Sequence, residues 1–519
     1  MAGMSAHPLQ HVVILGGGSA GWLTAGLLAA QHGHWLKVSV IESPDIPTIG
    51  VGEGTWPTMR DSLRDIGLSE ADFVRRCDAT FKQGSLFRRW SSGAADDLYF
   101  HPFTLPTGYT EAPLAAAWLR GHAPRPFAEL ACVQPHLCAA GRAPKQFATP
   151  EYASVANYGY HFDAGLFGPV LREHCTSRLG VVHVPDTVTA VRSHDNGDIA
   201  ALKTTTHGEI AGELFIDCSG LKARLLAEHY GNDFVSHRSV LFCDRALALQ
   251  VPYAQEQAPI ACQTVSTAQA HGWVWDIGLQ ARRGVGLVYS SAHCSDDEAQ
   301  RTLQDHVAAT GGAPAGLPPP RQLRFDPGHR RTFWHRNCVA IGLSAGFLEP
   351  LEASALALIE FSAGFLRDQM PGDRQAMDRV AERFNDACHY RWARIIEFLK
   401  LHYVLSRRED SDFWRDHREA SSVPARLQEL LALWRHLPPS RHDLVRHDEA
   451  FPSASWQYVL YGMGFQPEPG FSDRCRTAEL QAAEGFFLET SQRVRKMLPA
   501  LPSHRELVQH IRQHGLPRI

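Results

Sequence analysis

The sequence lacks the paired cysteines of a zinc site or redox motif: its 11 cysteines are scattered, with no C-x-x-C among them. An odd, dispersed set fits reduced thiols in a cytoplasmic protein better than a disulfide framework. H-E-x-x-H is missing as well, so the 28 histidines read as surface and packing residues, and no metal site is expected. Positive charge is not in excess: 51 Lys and Arg face 55 Asp and Glu, a formal net charge of −4. That balance excludes nucleic acid and anionic membrane as expected partners. No apolar run approaches the roughly 18 residues of a membrane span, and MAGMSAHPLQ shows no charged-then-apolar leader pattern. Internal repeats are absent. With 44% hydrophobic and 20% charged residues over 519 positions, the composition is that of a globular protein with two domains or one large, intricately connected one.

What is present starts at His11. Val12–Leu15 is a short β-branched run ending in glycine, the mark of a strand buried on both faces. Gly16, Gly18 and Gly21 then spell G-x-G-x-x-G. The first allows a tight turn, the second lets backbone approach a pyrophosphate, and the third lets the next helix pack close to the strand. Trp22–Gln31 reads as that helix, its N-terminal amides directed at phosphates. Val38–Ile41 makes a second strand, and Glu42 ends it about 20 residues past the last glycine, where a carboxylate accepts from a ribose hydroxyl. Alone the glycines would be an ordinary Gly-rich turn; strand, helix and acid around them point to a dinucleotide site.

Beyond Glu42, glycines at 50, 52 and 54 suggest backbone pressed against a ligand, with a plain surface loop as the alternative. Helices are expected around Pro57–Ile66 and after Ser69. Residues 100–156 show little periodicity and read as an insertion outside the nucleotide sheet. Strands follow near 181–184, 188–191 and up to 213. Leu214–Gly220 and Cys338–Gly342 are buried runs that should rejoin the first sheet, while 240–290 alternates as an antiparallel sheet does. A helix from Ser354 to about Asp368 and amphipathic helices from Arg374 onward complete the pattern. Distant strands converging on one sheet, with a single G-x-G-x-x-G and no nicotinamide motif, suit a large FAD-binding oxygenase or oxidase that draws electrons from elsewhere.

On these residues the chain resembles the flavin-dependent halogenases, the tryptophan halogenases in particular, from His11 to about Gly464. The resemblance rests on GGGSAGW (16–22), GVGEGTWP (50–57), ATFKQGSLFRRW (79–90), YHFDA (160–164), DCSG (217–220), CVAIGLSAGFLEPLEAS (338–354) and EFLKLHYVLSRREDSDFW (397–414). It implies an α/β fold: an FAD-binding Rossmann-like sheet, an inserted antiparallel sheet and a helical C-terminal substrate module. The expected division is FAD-binding parts at 1–99, 157–236 and 331–370, a substrate-module insertion at 100–156, the antiparallel sheet at 237–330 and the helical module at 371–519. Two departures stand out. The family's W-x-W-x-I-P appears as Trp273 to Gly278, glycine replacing proline, which should leave the loop freer. The small pair after the glutamate, usually Thr-Gly, is Ser354-Ala355.

The resemblance further implies that reduced FAD, O2 and chloride or bromide generate hypohalous acid, which Lys82 receives and Glu352 helps deliver to an aromatic substrate. Lys82 as ammonium would hydrogen-bond the oxidant, or as free amine form a haloamine; from composition alone it would be a surface lysine. Glu352 would accept the proton lost from the ring, and a helix-start acid is its plainer reading. Glu349 is assigned a structural role. Cofactor contacts are expected from Gly16, Gly18, Ser19, Ala20, Gly21, Glu42, Gly50, Val51, Gly52, Glu53, Val188, Gly342, Phe347 and Leu351. Substrate contacts are expected from Trp456, Phe451, His101, Pro102 and Phe103, and halide contacts from Ser354 and Ala355. Trp273 and Trp275 would wall a channel, or else be core. The expected partners are a flavin reductase supplying diffusible reduced FAD, a small arene of indole type, and a second copy of the chain as a homodimer. The competing reading is a two-component aromatic hydroxylase, which needs no Lys82; a non-catalytic flavin sensor is the third.

Overall fold

The computed structural model describes residues 8–46, 52–123, 125–313 and 316–518. Gly50 and Val51 lie outside the described residues. His11–Leu15 is the centre of a six-stranded sheet, flanked by Lys37–Glu42 on one side and Leu214–Asp217 on the other, with Val182–Pro185 and Cys338–Ala340 beyond them. These pairings are all parallel, and Val12, Val13 and Ile14 are fully buried, as their unbroken apolar run requires. The hairpin partner Trp334–His335 adds one antiparallel edge strand.

The first helix, Ser19–His32, begins three residues before the expected Trp22, because extended Gly18 serves as its N-cap and leaves the first turn to Ser19 and Ala20. Its buried residues run continuously from Gly21 to Ala29. That is why its sequence is apolar all round: the helix is wedged between Ala164–Arg178 and Ser354–Asp368.

The second sheet has seven strands and departs from expectation. Arg245–Pro252, Thr264–Gln269, Gly272–Gly278, Arg282–Tyr289 and Arg321–Arg324 pair antiparallel. Gly84–Arg88 then joins Thr264–Gln269 in parallel, and Leu98–Pro102 closes that edge. The alternation in 240–290 marks the antiparallel part; the two early strands join through long-range pairing that no local pattern encodes. A third sheet of Gly52–Gly54, Gly159–Asp163 and Thr80–Lys82 lies at the junction. At Gly84 the chain crosses from that sheet to the large one with φ +153, where a side chain would strike the His101 carbonyl at 2.5 Å.

Helices dominate from Arg374: a 31-residue helix to Val404, then Ser453–Gly462, Thr477–Ala500 and His504–His514 among others. No helix among the described residues is long and apolar enough to cross a membrane.

Candidate active site

The seven-stranded sheet, the small third sheet and the long helix from Arg374 meet around Glu352. It sits between Phe347 and the Ser354–Asp368 helix, with φ +61, and Ala353 follows with φ +55. Two consecutive non-glycine residues in the left-handed region cost about 1–2 kcal/mol each. The turn is held by Trp56, whose indole Nε1 donates to the Glu352 carbonyl at 2.7 Å. Because of it, the helix beginning at Ser354 has no side-chain cap and no acidic residue in its first turn. Its first amides, at the positions of Ser354 and Ala355, have no side-chain cap.

The Glu352 carboxylate is buried. Its Oε1 accepts from His101 Nδ1 at 2.7 Å and its Oε2 from Ser85 Oγ at 3.3 Å. Ser85 and His101 are register partners across the Gly84–Arg88 and Leu98–Pro102 strands, so one strand pair supplies both donors. Burial alone would raise the carboxyl pKa, but His101, His402 and Lys82 together bring it below the ordinary value. Behind it, Tyr99 donates to His402 Nδ1 at 2.5 Å, and His402 Nε2 stands 3.5 Å from Oε1. Burial lowers the His402 pKa to about 3, so that ring is neutral.

Lys82 ends its strand opposite Gly159 and is 1% exposed. Its ammonium lies 5.3 Å from the ring centre of Phe103. Gly54 makes room for it: a side chain there would come within 3.3 Å of Nζ and 3.6 Å of the Ala353 Cβ. Burial lowers the Lys82 pKa to about 8, against an opposing pull from Glu352. Gly52 and Gly54 therefore serve close packing: Gly52 lies against the backbone of Gly284, and Gly54 against Lys82.

Beside Glu352 opens a cavity of about 500 Å³, lined among others by Trp56, His101, Pro102, Phe103, Phe451 and Tyr458. Lys82 does not line it; Phe103 does. Trp456 departs from expectation too. Its indole N–H donates to the Phe451 carbonyl, and its ring packs on Phe398 and Trp434. On the Ser453–Gly462 helix the cavity face belongs to Ala454, Ser455 and Tyr458, which places Trp456 in the core. Trp56, edge-on to Phe451 at 4.8 Å, supplies the cavity's tryptophan. Sequence reasoning passed over Trp56, Ser85, Tyr99 and His402. The period-2 alternation of Tyr99 and His101 on one strand was the available signal for Tyr99; the others are joined only by long-range folding.

The nucleotide motif is shaped for a phosphate. Gly16 has φ +118, and a side chain on it would meet the Cys218 carbonyl at 2.2 Å. One on Gly21 would meet the Gly16 carbonyl at 1.9 Å, while Gly18 faces open space. Ser19 and Ala20 form an uncapped first turn, and Gly342, at φ +76, lies against Ala20. An open cradle at uncapped amides fits the pyrophosphate of FAD. Glu42 abuts Gly17 and contacts His183 at 2.9 Å and Arg172 at 3.4 Å. Glu53 is held in its strand opposite Phe162, its pKa pushed up to about 7 by burial. Val188 and Leu351 are buried, and Phe347 sits edge-on to Phe325.

Trp273 and Trp275 stand on one strand with ring centres 6.4 Å apart. Trp273 Nε1 donates to Glu349 Oε2, which also accepts from Tyr403 at 2.6 Å. At Gly278, which replaces the family proline, the carbonyl accepts from Thr80 Oγ1 at 2.6 Å, and a side chain would crowd Ile260 at 3.0 Å.

A family model for tryptophan halogenase matches residues 11–475. The chain belongs to the tryptophan halogenase family. Tryptophan 6-halogenase SttH of Streptomyces toxytricini is 34% identical, over 97% of this chain and 98% of that protein. A 7-chloro-L-tryptophan 6-halogenase, KtzR of Kutzneria, is also 34% identical over 96% and 99%. Among solved structures, the tryptophan halogenase of Shewanella frigidimarina superposes with a TM-score of 0.96 at 48% identity, covering all of both chains. BrvH, a flavin-dependent halogenase from Brevundimonas, gives 0.84 at 34% identity over 97% and 99%. This halogenase is thus a flavin-dependent enzyme of α/β fold, and the hydroxylase reading is set aside. Among its described residues, no three His, Cys, Asp or Glu side chains are arranged to hold a metal ion.

Proposed function

We propose that this halogenase installs chloride or bromide on an electron-rich arene of indole or tryptophan type, through Lys82 and Glu352. The observation that carries the reading is their meeting: a buried lysine and a buried carboxylate, distant in sequence, bear on each other's ionisation, and Glu352 together with Phe103, the ring beside Lys82, lines an arene-sized cavity. FAD, held at Gly16–Gly21, Glu42 and Gly342 and supplied reduced by a separate reductase, would with O2 convert halide to hypohalous acid. Ser354 and Ala355 amides would hold the halide, and Trp273 and Trp275 would screen the channel. Lys82 then retains the oxidant by hydrogen bonding near Phe103, which substitutes proximity for diffusion. Glu352 takes the proton as the ring regains aromaticity. That proton is so acidic that a carboxylate of lowered pKa suffices, and a low pKa keeps it ionised throughout the working range. A cytoplasmic, homodimeric protein with the domain division given above completes the proposal.

The test is product mass spectrometry with reductase, FAD, NADH and either halide on an arene panel containing indole and tryptophan. Wild type should give halide-dependent mass shifts. Lys82→Ala should keep folding and oxidation of reduced FAD by O2, yet lose more than tenfold in halogenated product, above about 1.4 kcal/mol. Lys82→Arg should fail as well, its planar fork placing donors differently beside Gly54. Product retained above a tenth in Lys82→Ala would make Lys82 a bystander.

A further inference from the structure

The cavity has a charge pattern that the halogenation reading does not use. Its lining holds six carboxyl side chains against two guanidinium groups. Both guanidiniums are occupied. Arg367 pairs with Asp65 at 2.6 Å and with Asp368 at 2.8 Å. Arg391 pairs with Asp448 and lies 3.8 Å from the ring centre of Phe361. A substrate carboxylate entering here meets no uncommitted cation on the lining described.

Glu360 is different from the rim acids. It stands two turns along the helix that starts at Ser354, with side chain into the cavity and only 7% exposed. Ser62 Oγ donates to it at 2.6 Å and Thr58 Oγ1 at 3.2 Å. Neutral donors hold the carboxyl in place, and no cation neutralises it. Burial, with a smaller contribution from Asp61, pushes its pKa up to about 7, so it is charged at pH 8. Glu360 stands about 9 Å along the helix axis from Ser354, on the same cavity that Glu352 lines.

We infer that Glu360 determines specificity, selecting arenes that carry a protonated amine over arenes that carry a carboxylate. The inference rests on the arene cavity of the proposed halogenation and names its substrate class as an amine-bearing indole. A buried, cation-free carboxylate gains most from an ammonium that replaces the water it has lost, and an approaching carboxylate is repelled by the same field.

The experiment is calorimetric binding at pH 8 of tryptamine, indole and indole-3-propionate, to wild type and to Glu360→Gln, with melting curves as a folding check. Wild type should bind tryptamine at least tenfold more tightly than indole-3-propionate, with indole between them. In Glu360→Gln that ratio should fall at least fivefold, and Glu360→Asp should restore part of it. Indole-3-propionate binding as tightly as tryptamine to wild type overturns the inference, whether or not the variants fold. So does an unchanged ratio in folded Glu360→Gln. Binding needs no turnover, so the two readings separate: amine preference without halogenated product removes the halogenase reading alone, and product without amine preference removes this one alone.

Discussion

At the scale of single residues, Lys82 is set between two roles by its surroundings. Burial takes its pKa from 10.5 to about 8, and Glu352 keeps it from falling further. Below pH 8 the ammonium predominates, and on the proposed mechanism it would donate to the oxidant. Raising pH through that value removes the proton, so the halogenation step should slow by about tenfold per pH unit above 8 once deprotonation dominates. Single-turnover product formation against pH measures this, with oxidation of reduced FAD by O2 as the reference that lacks the ionisation. A rate that rises through pH 8 instead would assign the step to the free amine and its haloamine.

At the scale of elements, the nucleotide turn was the most legible part of the chain because each glycine answers to a local steric demand. Gly21 illustrates it: with only 1.9 Å available between a side chain and the Gly16 carbonyl, the first helix rests directly on the turn. Gly21→Ala should push helix from strand, costing about 1–3 kcal/mol of stability as overpacking does. It should also weaken FAD binding at least tenfold, measured by flavin fluorescence titration and thermal melting. The strand at Leu214–Asp217 and the helix at Ser354–Asp368 were equally readable, since burial on both faces and helical apolar spacing write themselves into sequence. The seven-stranded sheet was half legible: its meander alternates, but the parallel joining of Gly84–Arg88 depends on a crossover at Gly84. At the site, the resemblance supplied Lys82 and Glu352, while Trp456 was misplaced and Trp56 missed. Helix phase decides the first: Ser455 and Tyr458 face the cavity, and Trp456 lies off their stripe.

At the scale of the whole molecule, a single dinucleotide motif serves a six-stranded sheet. On the proposed reading such an enzyme would take reduced flavin from outside. The purified protein should oxidise NADH no faster than buffer with FAD, and turnover should appear only when a flavin reductase is added. Absorbance at 340 nm follows it, and robust NADH oxidation by the protein alone would remove the two-component organisation.

The buried, unpaired cysteines bear on how such a catalyst would outlast its own oxidant. Hypohalous acid destroys thiolates first, because the anion is the nucleophile. Every one of the 11 thiols here is held above its ordinary pKa, with burial the main cause. Nine of them are shut away from solvent, and neither cysteine nor methionine lines the arene cavity. On the proposed mechanism the same packing would slow self-inactivation: an oxidant that slipped past Lys82 into the cavity would meet rings, prolines and carboxylates before sulfur.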